Sequence, residues 1–123
     1  MSARIVVADD SRTILALVTM ALRQAGHEPV TASDGEEALA AVRAHRPELL
    51  IVDAVMPGLS GYDVCRALRE DAGGPQPHVI MLTAGGQEAD RVRADEVGVD
   101  EFVTKPFSPS DLRARVHELL GDA

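Results

Sequence analysis

Aromatic residues are nearly missing from this chain: two phenylalanines, one tyrosine and no tryptophan in 123 residues. The core must therefore be built from Val, Leu, Ile and Ala. Cysteine occurs once, at Cys65, which excludes an internal disulfide framework and is compatible with a reducing compartment. Cys65 reads as a small buried helix residue. No apolar stretch is long enough to span a membrane, so no membrane partner is expected. No Lys/Arg run is visible and the net charge is -8, which argues against direct nucleic-acid contact by this segment. The four histidines (His27, His45, His78 and His117) are scattered, so a zinc site is not expected. The start, Met1-Ser2-Ala3-Arg4, leads straight into an apolar run, and no signal peptide is expected. The length suits one domain over 1–123 with a two- or three-layer core.

What the chain does have is four short apolar runs, each ending in a polar residue. Ile5-Val6-Val7-Ala8 meets Asp9-Asp10, Leu49-Leu50-Ile51-Val52 meets Asp53, Val79-Ile80-Met81-Leu82 meets Thr83, and Phe102-Val103-Thr104 meets Lys105. Such runs suit strands buried on both faces of a parallel sheet. Pro29-Val30-Thr31-Ala32 adds a weaker strand.

Helical patterns lie between these runs. Ile14, Val18, Ala21, Leu22 and Ala25 share one face, and Gly26 is a natural stop. Ser33-Asp34-Gly35-Glu36 has capping-box spacing ahead of Ala38, Leu39 and Val42, and Pro47 ends that element. A third helix spans 60–71 with Val64 and Leu68 inward; a polar fourth spans 87–97 and stops at Gly98. Ser108-Pro109 caps the last helix, whose apolar face is Leu112, Val116, Leu119 and Leu120. Five strand–helix units with right-handed crossovers place helices on both faces of one sheet.

Parallel strands put all their C-terminal ends along one edge, where open α/β sheets place ligands. Asp9, Asp10 and Asp53 should converge there, with Thr83 and Lys105 beside them. Three crowded carboxylates either share a proton or bind a cation, and hard oxygen donors suit Mg²⁺. Lys105 is the only lysine in the chain; every other basic residue is arginine. A compact ammonium serves as a point charge for a phosphate or acyl-phosphate oxygen. Ala84, Gly85 and Gly86 leave room beside Thr83 for a phosphoryl group. Carboxylate, metal, hydroxyl and cation together form a kit for phosphoryl transfer onto an aspartate.

With these residues the chain resembles the CheY-like receiver domain of bacterial two-component response regulators. The resemblance rests on Asp9-Asp10, Asp53 within Asp53-Ala54-Val55-Met56-Pro57-Gly58, Thr83-Ala84, and Phe102-Val103-Thr104-Lys105-Pro106-Phe107, and covers essentially the whole chain. It implies a doubly wound (βα)5 flavodoxin-like α/β fold with strand order 2-1-3-4-5. It implies Asp53 as the phospho-acceptor and Asp10 and Asp53 as direct Mg²⁺ ligands. Asp9 would act mostly through water, and Val55 would supply a backbone carbonyl. Thr83 and Lys105 would be the switch hydroxyl and the phosphate-sensing lysine, Phe102 the rotating aromatic, and Lys105-Pro106 a cis peptide. The implied partner is a sensor histidine kinase or phosphotransfer protein in the cytoplasm. Two positions depart from the common pattern: Val55 replaces a polar residue and Gly85 a bulkier one. Phe102 also lacks the hydroxyl of the commoner tyrosine, so a switch there works by packing alone.

The segment from Asp90 to Arg115 resembles the subfamily whose receivers are joined to winged-helix DNA-binding domains. That resemblance implies a phosphorylation-dependent homodimer through the fourth helix, fifth strand and fifth helix, with Arg91, Asp100, Glu101, Asp111 and Arg115 as matching residues. A solvated face is the plainer reading of the fourth-helix arginines. Two other classes fit less well. Haloacid-dehalogenase-like hydrolases want a second Asp two residues after the nucleophile, where this chain has Val55. A flavodoxin-like electron carrier wants a Ser/Thr/Gly-rich loop after the first strand, where this chain has Asp9-Asp10.

Overall fold

Strands without polar interruption build the middle of the sheet. β1 (Ile5–Ala8) and β3 (Leu49–Asp53) are buried at every position, and β4 (His78–Thr83) at all but its first. The computed structural model describes residues 4–85 and 87–120. Met1 to Ala3, expected to lead into β1, and Gly86, expected beside the pocket, lie outside the described residues. The remaining elements are α1 (Arg12–Gln24), β2 (Val30–Ala32), α2 (Gly35–His45), α3 (Gly61–Glu70), α4 (Glu88–Glu96), β5 (Glu101–Thr104) and α5 (Pro109–Leu120).

All five strands are parallel and their order is β2-β1-β3-β4-β5, as the resemblance implied. The two-residue alternation of each strand feeds two cores. Val6, Leu50, Val52, Val79 and Met81 pack under α2 and α3 with Ala38, Val42, Val64 and Leu68. Ile5, Val7, Ile51, Ile80 and Leu82 pack under α1 and α5 with Val18, Leu22, Leu112 and Val116. Each fully buried aliphatic side chain contributes roughly 1.5–3 kcal/mol relative to exposure. Aliphatic packing thus does the work that aromatics share in most cores. Among the described residues no helix is long and apolar enough to cross a membrane.

Helix starts follow local chemistry. Asp34 caps α2 by accepting from the Glu37 amide at 2.8 Å, and Glu37, rather than Glu36, reaches back to the Ser33 amide. Ser60 and Asp63 form a reciprocal capping box at α3. Ser108 accepts from the Asp111 amide, with Pro109 the first residue of α5. α4 begins after Gln87 without a side-chain cap and buries only Ala94 of its own residues.

β5 starts at Glu101, one residue ahead of the apolar run Phe102-Val103-Thr104, and Asp100 before it is used as a side-chain rung. Its Oδ2 accepts from the Val79 amide at 2.8 Å while its own amide donates to the Val79 carbonyl. One glycine positions the site directly. A Cβ on Gly61 would stand 2.3 Å from the Asp53 carbonyl oxygen, so only glycine lets the start of α3 press on that backbone.

Candidate functional site

The sheet edge brings the acidic residues together as its geometry requires. Asp9 follows β1 and Asp53 ends β3, and β1 pairs with β3 along its length. Carboxylate oxygens of Asp9, Asp10 and Asp53 lie within 4.8 Å of one another. Asp9 is fully buried, Asp53 is 7% exposed, and Asp10 faces solvent.

Lys105 enters from the turn after β5, beyond which the Lys105–Pro106 peptide is cis. Its Nζ donates to Asp9 Oδ2 at 3.0 Å and to Asp53 Oδ1 at 3.1 Å. The other oxygen of Asp9 accepts from the Ser11 amide at 2.9 Å. Ser11 in turn caps α1 by accepting from Ile14. Asp9 is therefore fixed through both oxygens by a lysine and a helix start. The Ser11 contribution is absent from the sequence-based expectations, although a serine directly ahead of a helix is a capping signal.

One ammonium faces three carboxylates, so the site carries surplus negative charge. The Asp53 carboxyl is consequently raised above its ordinary range: burial comes first, then the charge of Asp9, and Lys105 only partly opposes them. Burial alone would lower the Lys105 ammonium, but its bonds to Asp9 and Asp53 and their charges leave it raised. A divalent cation with oxygen preference fits this donor set and its uncompensated charge.

Thr83 ends β4 and is buried, but its hydroxyl is turned to its own loop. Oγ1 donates to the Gly85 carbonyl at 3.1 Å and accepts from the Gly85 amide at 3.2 Å. Thr83 thus lines the edge without bonding the carboxylates. Val55 lies in the loop after β3, 76% exposed, so an apolar side chain stands bare beside the acidic cluster.

The residues singled out around α4, β5 and α5 divide into two groups. Arg115 of α5 pairs with Glu101 of β5, whose other oxygen lies 3.1 Å from His78 Nε2. Asp100 instead turns toward α3, where Arg69 donates to its Oδ2 at 2.9 Å. The fourth-helix arginines are exposed yet have partners. The Arg91 guanidinium lies 5.3 Å over the Phe102 ring and that of Arg93 lies 4.1 Å over Tyr62. Tyr62 and Arg69 carry no sequence signal, because Arg93 over Tyr62 and Asp100 beside Arg69 each lie 31 positions away. Cys65 is buried in α3, as expected, with its thiol 3.2 Å from the Val97 carbonyl.

Residues 5–117 match the family model of the response regulator receiver domain. The chain is 40% identical over 120 residues to the alkaline phosphatase synthesis transcriptional regulatory protein PhoP of Bacillus subtilis, covering 98% of this chain and 49% of that protein. It is 43% identical over 120 residues to the DNA-binding response regulator MtrA of Mycolicibacterium smegmatis, covering 98% of this chain and 51% of that protein. The chain thus spans about half the length of the curated relatives it matches. Among solved structures it is similar to a BeF3-activated DrrB receiver domain, with a TM-score of 0.86, 35% identity and 98% of each chain covered. Vibrio cholerae chemotaxis protein CheY4 gives a TM-score of 0.89 at 30% identity, covering 97% of this chain and 99% of that one. With this match over nearly its whole length, and with three carboxylates and one lysine at the sheet edge, the chain belongs to the response regulator receiver domains, the phosphoacceptor modules of two-component signalling.

Proposed function

We propose that Asp53 is the phosphoacceptor of this receiver and that Asp9, Asp10, Thr83 and Lys105 assist transfer and read its result. The observation that carries the reading is the Lys105 bridge, with one ammonium bonded to both Asp9 and Asp53 at the C-terminal edge of the sheet. Lys105 holds Oδ1 of Asp53, and the second oxygen serves as nucleophile. It attacks the phosphorus of a phosphohistidine, the N–P bond breaks, and an acyl phosphate forms on the carboxylate. Negative charge then spreads over the phosphoryl oxygens, and stabilising it matters more than general base catalysis. Lys105 supplies one cation, already in hydrogen-bond reach of the acceptor.

The carboxylates of Asp10 and Asp53 and the carbonyl of Val55 would hold Mg²⁺, with Asp9 acting through water. The ion would neutralise charge shared between the acceptor and the phosphoryl group. Thr83 would give up its bonds to Gly85 and donate to a phosphoryl oxygen instead. The domain acts on no separate substrate; it promotes its own phosphorylation and dephosphorylation, so it is a signalling module rather than an enzyme.

The donor is a sensor histidine kinase or phosphotransfer protein of the cytoplasm. Residues 1–123 form the receiver, and the lengths of PhoP and MtrA support its place as the regulatory half of a DNA-binding regulator. Self-association through α4, β5 and α5 transmits the signal. Arg91, Glu101, Asp111 and Arg115 form the charged face, and nucleic acid makes no contact with this domain itself.

Incubation with acetyl phosphate and Mg²⁺, read by intact mass, tests the central assignment. One base-labile phosphoryl group is expected on the wild type and none on Asp53→Asn. Uptake by Asp53→Asn at the wild-type rate would show a different acceptor.

A further inference from the structure

The loop from Ala54 to Ser60 is closed at its base. The Ala54 amide donates to the Leu82 carbonyl at 2.8 Å, and the Ala54 carbonyl accepts from the Gly61 amide at 2.9 Å. Ala54 and Met56 are buried in the core under α2 and α3, and Val55 stands exposed between them. Among the described residues, 55–59 make no backbone-to-backbone hydrogen bond, so packing decides where the far side of the loop lies. That packing comes from α2. A Cβ on Gly35, the buried first residue of α2, would stand 2.2 Å from the Leu59 carbonyl oxygen and 2.6 Å from the Leu59 Cβ. Both lie far inside contact distance, so any larger residue would force α2 and the loop apart. Gly35 has no positive φ, so the close approach requires its missing side chain and not its backbone freedom. α2 is the firmer of the two partners: Asp34 and Glu37 cap its start, and Ala38 and Val42 are fully buried. A group added at position 35 therefore displaces the loop.

We propose that Gly35 is a positioning residue for the cation site: by letting α2 close onto Leu59 it fixes the loop that carries the Val55 carbonyl, and so makes the site favour Mg²⁺ over Ca²⁺. This inference rests on the reading above that Asp10, Asp53 and Val55 hold the ion. Mg²⁺ demands near-ideal octahedral geometry with bonds of about 2.0–2.1 Å, whereas Ca²⁺ accepts about 2.3–2.6 Å and a variable ligand number. Carboxylate side chains can turn to follow either ion. A carbonyl moves only with its backbone, so a fixed backbone donor is where the fold selects ion size. Gly61 at the start of α3 holds the Asp53 end of the loop and Gly35 at the start of α2 holds the Leu59 end. The loop is thus gripped between two helix starts, each of which admits only glycine.

Separate titrations of the full chain with Mg²⁺ and with Ca²⁺, read by backbone amide shifts, test the grip. Wild type should bind Mg²⁺ more tightly than Ca²⁺. Gly35→Ala should weaken Mg²⁺ binding roughly tenfold, the low end of what supporting residues cost a metal site. It should weaken Ca²⁺ binding by less than about twofold, because Ca²⁺ tolerates a displaced donor. Leu59→Gly approaches the same contact from the other side, loosening the grip instead of overfilling it. It should lower the Mg²⁺ to Ca²⁺ preference likewise, and it decides the matter where Gly35→Ala does not fold. Gly73→Ala, where a Cβ would meet nothing, should alter neither affinity. A wild-type preference in folded Gly35→Ala or Leu59→Gly would overturn the positioning role, whether neither affinity changes or both fall together. Mg²⁺ affinity that survives both Asp10→Asn and Asp53→Asn would instead overturn the cation site itself, and the role of Gly35 with it.

Discussion

Lys105 and Asp53 stand 52 positions apart in the chain, yet the ammonium lies 3.1 Å from the carboxylate and still leaves it raised above its ordinary range. The lysine is shared with Asp9, which is fully buried and adds its own negative charge. The ionised Asp53 carboxylate therefore costs the domain stability in the absence of a cation, and this bears on how stability responds to pH, to metal and to substitution.

A raised carboxyl binds protons more tightly folded than unfolded, so its cost is present above the folded-state pKa and fades as pH falls through it. Asp53→Asn should accordingly stabilise the metal-free domain at neutral pH, by on the order of 1 kcal/mol. The gain should shrink toward acid pH. Lys105 has the opposite sign: its raised pKa lends stability below the unfolded-state value that is lost as pH rises through the folded-state one. Lys105→Met should therefore destabilise at neutral pH. Urea melts of wild type and Asp53→Asn between pH 4 and pH 8 check the first sign, and melts of Lys105→Met at pH 7 check the second; an Asp53→Asn protein less stable than wild type at pH 7 would refute the first.

Mg²⁺ should bind weakly, because few carboxylates contribute and the ion keeps waters. Backbone amide shifts on titration should centre on residues 9–10, 53–55 and 83. Bound ion should also raise the melting temperature of the wild type more than that of Asp53→Asn. Shifts centred elsewhere would relocate the site.

Asp100 should act on stability rather than on self-association. Its carboxylate already accepts from Arg69 and from the Val79 amide, and Arg69 also donates to the Gly98 carbonyl at 3.0 Å. Removing it leaves a backbone donor of β4 short of its partner. Asp100→Ala should cost roughly 1–2 kcal/mol in chemical denaturation. Its dimerisation with beryllofluoride should match wild type once both are folded; a selective loss of dimer would restore Asp100 to the interface.

The dimer itself should be salt-sensitive. Exposed pairs are each worth under ~1 kcal/mol and are screened within about 10 Å at 0.1 M salt. Sedimentation velocity should show a monomer without phosphoryl mimic and a dimer with beryllofluoride at low salt. Added salt and Arg115→Ala should both weaken it. Arg115→Ala also removes one of the two intramolecular partners of Glu101, so the loss should exceed that of Arg113→Ala, whose arginine bonds Gln24 of α1.

The five strands, the edge on which their polar ends gather, and the acidic cluster with Lys105 were legible from the residues alone. The reason is that apolar runs such as Leu49–Val52 can only be buried on both faces, and parallel strands share a common end. Order, register and contacts between distant positions were not legible. Nothing local to Asp100 announces that its side chain replaces a carbonyl on the β4–β5 ladder, because that rung exists only once β4 lies beside it. Arg91 and Arg93 read as solvated charges, since a helix pattern records which positions lack apolar neighbours and not which rings another element will bring beneath them. Thr83 could be placed at the edge by its strand, but the direction of its hydroxyl depends on the Gly85 backbone folding back on it. Periodicity and composition thus determined the elements and the chemistry at their ends. Packing in three dimensions decided which of those ends hold one another.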